Sequence, residues 1–153
     1  MLIPKHSKKS INIVKAGWLK KNKPVSLKSL RKKAWALHSE YKRRKANGKC
    51  FTCNDQRDWK EQNAGHFIHK DCLDFDDIAI QCQCVGCNKW KSGNLGEFAI
   101  RLIKKYGIEA VEAIREKANI NHKFTIAELE EKIEYYKRKL KKWENENALI
   151  NRK

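Results

Sequence analysis

Two pairs of cysteines, Cys50-Phe-Thr-Cys53 and Cys84-Val-Gly-Cys87, constrain this chain more than any other feature. Each C-x2-C pair lets two thiolates leave one tight turn and reach the same ion, and Gly86 eases the second turn. Two such knuckles separated by 30 residues in a chain of 153 predict a tetrahedral four-thiolate site for Zn2+ that staples a small fold. All four zinc positions would be taken by sulfur, so this ion cannot also activate water: it is structural. Cys82 stands two residues before Cys84, but only Cys84 repeats the spacing of the first knuckle. Cys72 and Cys82 are therefore expected to be ordinary buried thiols.

Charge divides the chain at the first cysteine. The formal net charge is +17 at pH 7. Residues 1–49 carry 16 Lys and Arg against one acid, Glu40, while residues 50–153 are nearly balanced, with 19 against 17. Such an excess repels itself and calls for an acidic partner, for which DNA is the leading candidate. No run approaches the roughly 20 apolar residues that span a bilayer. The start of the chain has no continuous apolar stretch of signal-peptide length. The sequence predicts a soluble, cytoplasmic protein with no membrane partner. In that reducing setting paired cysteines mean metal, not disulfides.

Periodicity lays out four segments. Residues 1–25 read as a basic arm. Residues 26–49 hold a basic helix over 26–46, capped by Ser26 and stopped near Gly48. Leu27, Leu30, Ala34, Leu37 and Tyr41 form its apolar stripe. Lys28, Arg31, Lys32, Lys42, Arg43, Arg44 and Lys45 are its candidate phosphate contacts, with Lys89 and Lys91 further along. Residues 50–120 form the cysteine-stapled core. Short β pieces are expected near 66–69 and 78–81, a helix from Asn88 or Leu95 to Tyr106, and another from Ile108 to about Ala118. Residues 121–153 hold the clearest helix, over 125–146, with Thr125 and Glu128 as a capping box. Ile126, Leu129, Ile133, Tyr136, Leu140 and Trp143 make a coiled-coil-like seam on it. The seam serves either packing within the chain or a homodimer.

The chemistry-bearing residues lie between and beside the knuckles. Asn63-Ala-Gly-His66-Phe-Ile-His69 falls between them, and Asn88 follows the last cysteine. A His loop and an Asn-started helix tied to one zinc would face each other across a small gap. That arrangement suits a one-metal nuclease. A neutral imidazole takes a proton from water, and an oxygen-held hard cation neutralises the phosphate.

These residues carry a resemblance. Ser39-Glu-Tyr41, the first knuckle, Asn63-Ala-Gly-His66-Phe, Gln83-Cys84-x2-Cys87-Asn88, Ser92-Gly-Asn94 with Glu97, and Tyr106-Gly107 resemble the NinG (Rap) family of phage recombination endonucleases over residues 27–145. More distantly the pattern is similar to phage endonuclease VII and the other HNH, or ββα-metal, nucleases. The resemblance implies a mainly α fold around a zinc-stapled ββα-metal core, flanked by the basic helix and C-terminal helices. It also implies a phage or prophage source. The implied activity is Mg2+-dependent cleavage of branched DNA, Holliday junctions above all, with Mn2+ as a possible substitute ion. His66 would be the general base, Asn88 a ligand of the catalytic metal, and Asp77 the residue that holds the His loop. The sequence departs from the HNH pattern at Gly65, where many of these nucleases place a metal ligand just before the base. Asn63, His69, Asp71 and Asp77 are the candidates for that second ligand. Two other readings stand beside this one: an HNH enzyme that nicks duplex DNA, and a zinc-ribbon DNA-binding protein without catalysis.

Overall fold

The computed structural model describes residues 25–150, with side chains to residue 148. The basic arm expected over residues 1–25 lies, except for Val25, outside the described residues. The chain is mainly helical with one small antiparallel sheet. The first helix, α1 (Leu27–Lys45), starts where the Ser26 hydroxyl accepts the amide of Ser29 at 3.2 Å. Its last turn carries Lys42, Arg43, Arg44 and Lys45, cations that complement the negative end of the helix dipole.

Beyond the first knuckle, β1 (Asn63–His66) pairs with β2 (Ile80–Gln83), bringing Asn63 opposite Gln83, Gly65 opposite Gln81 and His66 opposite Ile80. Both strands are displaced from the expected pieces: Phe67 and Ile68 pack against a core after β1, and before β2 the amides of Ile78 and Ala79 are taken by Asp76. The intervening loop folds as a short 3-10 turn, Asp71–Leu73, and the Phe67 amide closes it on the Ala79 carbonyl at 2.8 Å. After β2 comes a π-helical turn, Gly86–Trp90, and then α2 (Leu95–Tyr106), α3 (Ile108–Lys117) and α4 (Ile126–Ile150). The helix expected from Asn88 or Leu95 is thus split. Ser92, Gly93 and Asn94 all adopt positive φ, and α2 begins at Leu95.

Two apolar cores flank the cysteines. In one, Phe98 and Leu102 of α2 and Val111 and Ile114 of α3 close over Leu73 and Ala79. In the other, Leu30 and Ala34 of α1 meet Leu129, Ile133 and Tyr136 of α4, with Phe75 between them. Most of the α4 seam packs within the chain: Leu129, Ile133, Tyr136 and Leu140 are buried, while Ile126 is exposed. Cys72 and Cys82 are buried, as expected. Among the described residues no helix is long and apolar enough to cross a membrane.

Candidate functional site

The four knuckle cysteines meet at one point. Their sulfurs all lie within 4.8 Å of one another, and Cys53 Sγ stands 3.7 Å from Cys84 Sγ. Thiolates about 2.3 Å from a zinc ion are about 3.8 Å apart, so the cluster can hold a metal such as zinc. Donors already point at the sulfurs: the Cys87 amide reaches Cys84 Sγ at 3.4 Å, Asn94 Nδ2 reaches Cys87 Sγ at 3.7 Å, and the Thr52 hydroxyl lies 3.3 Å from Cys50 Sγ. Burial would raise the Cys50 thiol, but the Thr52 hydroxyl and the backbone amides of Cys84, Cys53 and Thr52 outweigh it and hold the group below its ordinary range.

This cluster joins the two strands at their far ends from the loop. The Phe51 amide of the first knuckle bonds the Cys82 carbonyl of β2 at 2.7 Å, and β2 runs directly into the second knuckle. His66 ends β1 and is half-buried. Its ring stacks on Trp35 of α1 on one side, with centroids 4.8 Å apart, and on His69 on the other, at 4.5 Å. Its Nε2 lies 3.5 Å from Asp74 Oδ1. Asp74 is held in turn by Arg31, whose Nη2 sits 2.7 Å from Oδ2. Burial pushes the Asp74 carboxyl up, but hydrogen bonds from His66 and Arg31 prevail and keep it below the usual carboxylate range. Burial, with the neighbouring His66, lowers the proton affinity of His69.

Asn88 comes up against the same strand. A β-carbon on Gly65 would stand 3.0 Å from Asn88 Oδ1 and 1.9 Å from Gln83 Oε1. Gly65 thus faces Asn88 across the gap, and Gln83 fills the place where a side chain at 65 would start. Asn63, opposite Gln83 in the ladder, has a buried Nδ2 with no hydrogen-bond partner among the described residues.

The structure brings His66, His69 and Asn88 to β1, but it does not bring Asp77 to His66. Asp77 is exposed, and its backbone carbonyl accepts Lys42 Nζ at 2.6 Å. The carboxylate facing His66 belongs to Asp74, and Asp76 clamps the loop by accepting the amides of Ile78 and Ala79, both at 2.9 Å. Asp71 is tied to Arg31 at 2.7 Å. Sequence reasoning missed Asp74, Trp35 and Gln83. Trp35 and His38 sit beside the apolar stripe of α1, and this is the only trace they leave in the sequence.

The candidate phosphate contacts separate into two groups. Lys28 and Lys32 are exposed and, with Arg31, Trp35, Asp74 and His66, line an open depression of about 340 Å³. Lys45, Lys89 and Lys91 are exposed too. Lys42 does not belong among them: it is buried, and burial lowers it to about 8. Arg43 is half-buried and donates to the backbone oxygens of Ser39, Trp59 and Gln62. Arg44 lies between Trp59 and Trp143, with its guanidinium carbon 4.3 and 5.3 Å from their rings, and pairs with Glu40 at 2.7 Å. These three cations hold the fold together.

The family described as "NinG: Bacteriophage Lambda NinG protein" matches residues 5–146. Among curated relatives, the chain is 34% identical over 102 residues to Protein ninG of Escherichia phage 933W, covering 65% of this chain and 50% of that one. It is 34% identical over 102 residues to Protein ninG of Escherichia phage lambda, covering 65% and 49%. With Protein ninG of Salmonella phage P22 it shares 36% over 95 residues, covering 60% and 46%. The chain spans about half the length of the curated relatives it matches. No solved structure matches. With the family's match running through both knuckles, β1, β2 and most of α4, the chain belongs to the NinG family.

Proposed function

We propose that this chain is a structure-specific endonuclease that hydrolyses a phosphodiester of branched DNA, with a four-way junction as its substrate. The observation that carries the reading is the convergence on β1. His66 ends the strand, and Asn88 Oδ1 meets the residue just before it, Gly65. Both residues are hung from one four-cysteine cluster, so their separation is fixed by a brace and not by a loop. A strand pair followed by a helical turn surrounds them, which supports reading the core as HNH-like, or ββα-metal.

The chain's own groups divide the work. Asp74 takes the Nε2 side of His66, which leaves Nδ1 to accept a proton from the attacking water. Stacking between Trp35 and His69 fixes the ring plane. Lys28 and Lys32 stand at the rim of the depression that His66 lines, where they can take the DNA backbone. Trp90, 83% exposed between Lys89 and Lys91, offers a flat face for a base. The residues also fit a hydrated divalent cation such as Mg2+ or Mn2+, because such ions keep several waters and need only one or two protein oxygens. Asn88 would hold it. The chemistry supplied there is neutralisation of charge on the phosphate and the departing oxygen. The four cysteines would hold Zn2+ as a structural ion. A two-fold junction calls for two such sites, so a homodimer is proposed, through a surface other than the α4 seam.

The second reading is a non-catalytic DNA-binding ribbon, in which the four-cysteine cluster carries the fold and the exposed lysines carry the binding. A labelled four-way junction and a linear duplex of the same sequence, each incubated with protein and Mg2+, separate the readings. Paired nicks in the junction with the duplex intact are expected. Equal cutting of both would replace the junction reading by a duplex-nicking one. Tight binding in EDTA with no cutting on return of Mg2+ would leave only the ribbon.

A further inference from the structure

The residue before His66 is a glycine, and the structure shows what occupies the space it leaves. The Gln83 side chain is fully buried, at 0% exposure. Its Nε2 donates to the Gly93 carbonyl at 2.8 Å and to the Thr52 hydroxyl at 3.2 Å. Turning the amide over would set its oxygen against the Gly93 carbonyl, so the orientation is fixed. Oε1 is therefore forced toward Gly65, 1.9 Å from the place of a β-carbon there, and no described residue donates a hydrogen bond to it. Asn88 Oδ1 converges on that same point at 3.0 Å. Two amide oxygens thus meet over a glycine, one of them desolvated and without a donor.

A buried acceptor is normally satisfied. A hard cation can take a lone pair from both oxygens at once. A hard divalent ion with oxygens about 2.1 Å away holds neighbouring ligands about 3–4 Å apart, which suits two carbonyl oxygens crowding one point. Neither oxygen carries charge, so such an ion would keep its full positive charge for an anionic ligand.

We propose that Gln83 Oε1 and Asn88 Oδ1 together form the divalent-cation site of this chain, with Gln83 as the second protein ligand in place of any side chain at Gly65. The proposal rests on the nuclease reading for the use of the ion but not for its binding. Gln83 then has two jobs. Its nitrogen ties the first knuckle to the turn before α2, and its oxygen reaches the ion. Asn63, His69, Asp71 and Asp77 are left without that role.

The test uses the zinc-loaded wild-type chain, labelled with 15N and titrated with substoichiometric Mn2+. Paramagnetic broadening falls so steeply with distance that the side-chain amide signals of Gln83 and Asn88 should vanish first. The exposed amides of Asn54 and Gln56 should survive. Persistence of both side-chain signals at Mn2+ levels that broaden the exposed amides of Asn54 and Gln56 would overturn the proposal. As a second arm, Gln83→Met should bind Mn2+ roughly tenfold more weakly by EPR at unchanged zinc content; equal affinity would overturn it. If Gln83→Met loses its zinc, the wild-type titration decides alone. A chain that cuts junctions while both signals persist overturns this inference only. A chain that loses both signals and cuts nothing overturns the nuclease reading only.

Discussion

Asp74 joins His66 to Arg31: one carboxylate oxygen lies 3.5 Å from His66 Nε2, and the other lies 2.7 Å from Arg31 Nη2. A basic residue expected to grip phosphate is thereby engaged inside the protein, and it fixes the carboxylate that orients the imidazole. Asp74→Asn keeps the shape but weakens the hold on the ring. Cleavage of a junction should fall about tenfold to a hundredfold, with junction affinity in EDTA unchanged. Gel-shift and single-turnover assays on the same preparation check the two halves separately.

His38 makes the fold acid-sensitive. The ring is buried among Trp35, Phe75 and Tyr136 with neither nitrogen hydrogen-bonded to a described residue. Burial, aided by nearby Lys42, lowers it to about 3. The unfolded chain protonates this residue below about 6.5 and the folded chain does not, so unfolding takes up a proton. Stability should therefore fall as pH drops from 6.5 toward 3, by at most about 1.4 kcal/mol per pH unit from this group. His38→Phe should flatten that slope. Acid also protonates zinc-bearing thiolates in both proteins, so the comparison is made by urea unfolding of the two chains side by side at pH 7 and pH 5.5.

Metal analysis should find one zinc per chain. Cys84→Ser and Cys87→Ser should lose it and unfold the strand pair, while Cys82→Ala, two residues away, should retain it. The folding free energy of structural zinc sites runs to about 10 kcal/mol or more, so zinc loss should appear as loss of the circular dichroism signal and not as a small shift in Tm.

Among the described residues Lys28 and Lys32 are exposed to solvent, and Lys42 is buried. Lys28→Ala with Lys32→Ala should weaken binding to junction and duplex alike and lower the slope of log affinity against log salt by about 2. Lys42→Met should leave the slope unchanged, because this cation is buried against the Asp77 carbonyl. Fluorescence anisotropy across a salt series reads both.

The sequence carried the elements whose causes are local. Ser26 caps α1, and Thr125 with Glu128 closes α4 through bonds of 2.7 and 3.3 Å, as a capping box does. The cysteine spacing located the four-cysteine cluster, and the family was legible in the motifs around it. What depended on tertiary packing was not legible. In Asp74-Phe-Asp76-Asp77 three acids stand almost together, and only the fold of the loop decides that Asp74 meets His66 while Asp77 faces solvent. The basic face of α1 read as one surface, yet α4 and Trp59 cover part of it. β1, Asn-Ala-Gly-His, has little strand propensity of its own and exists through its pairing with β2.

His66 is proposed to take the proton from water in a DNA-cutting reaction. Single-turnover cleavage of a labelled four-way junction with Mg2+, wild type against zinc-loaded His66→Ala, tests it most directly. The variant should bind the junction as well as wild type and cut it roughly 100- to 10,000-fold more slowly. Cleavage by His66→Ala at the wild-type rate would contradict it.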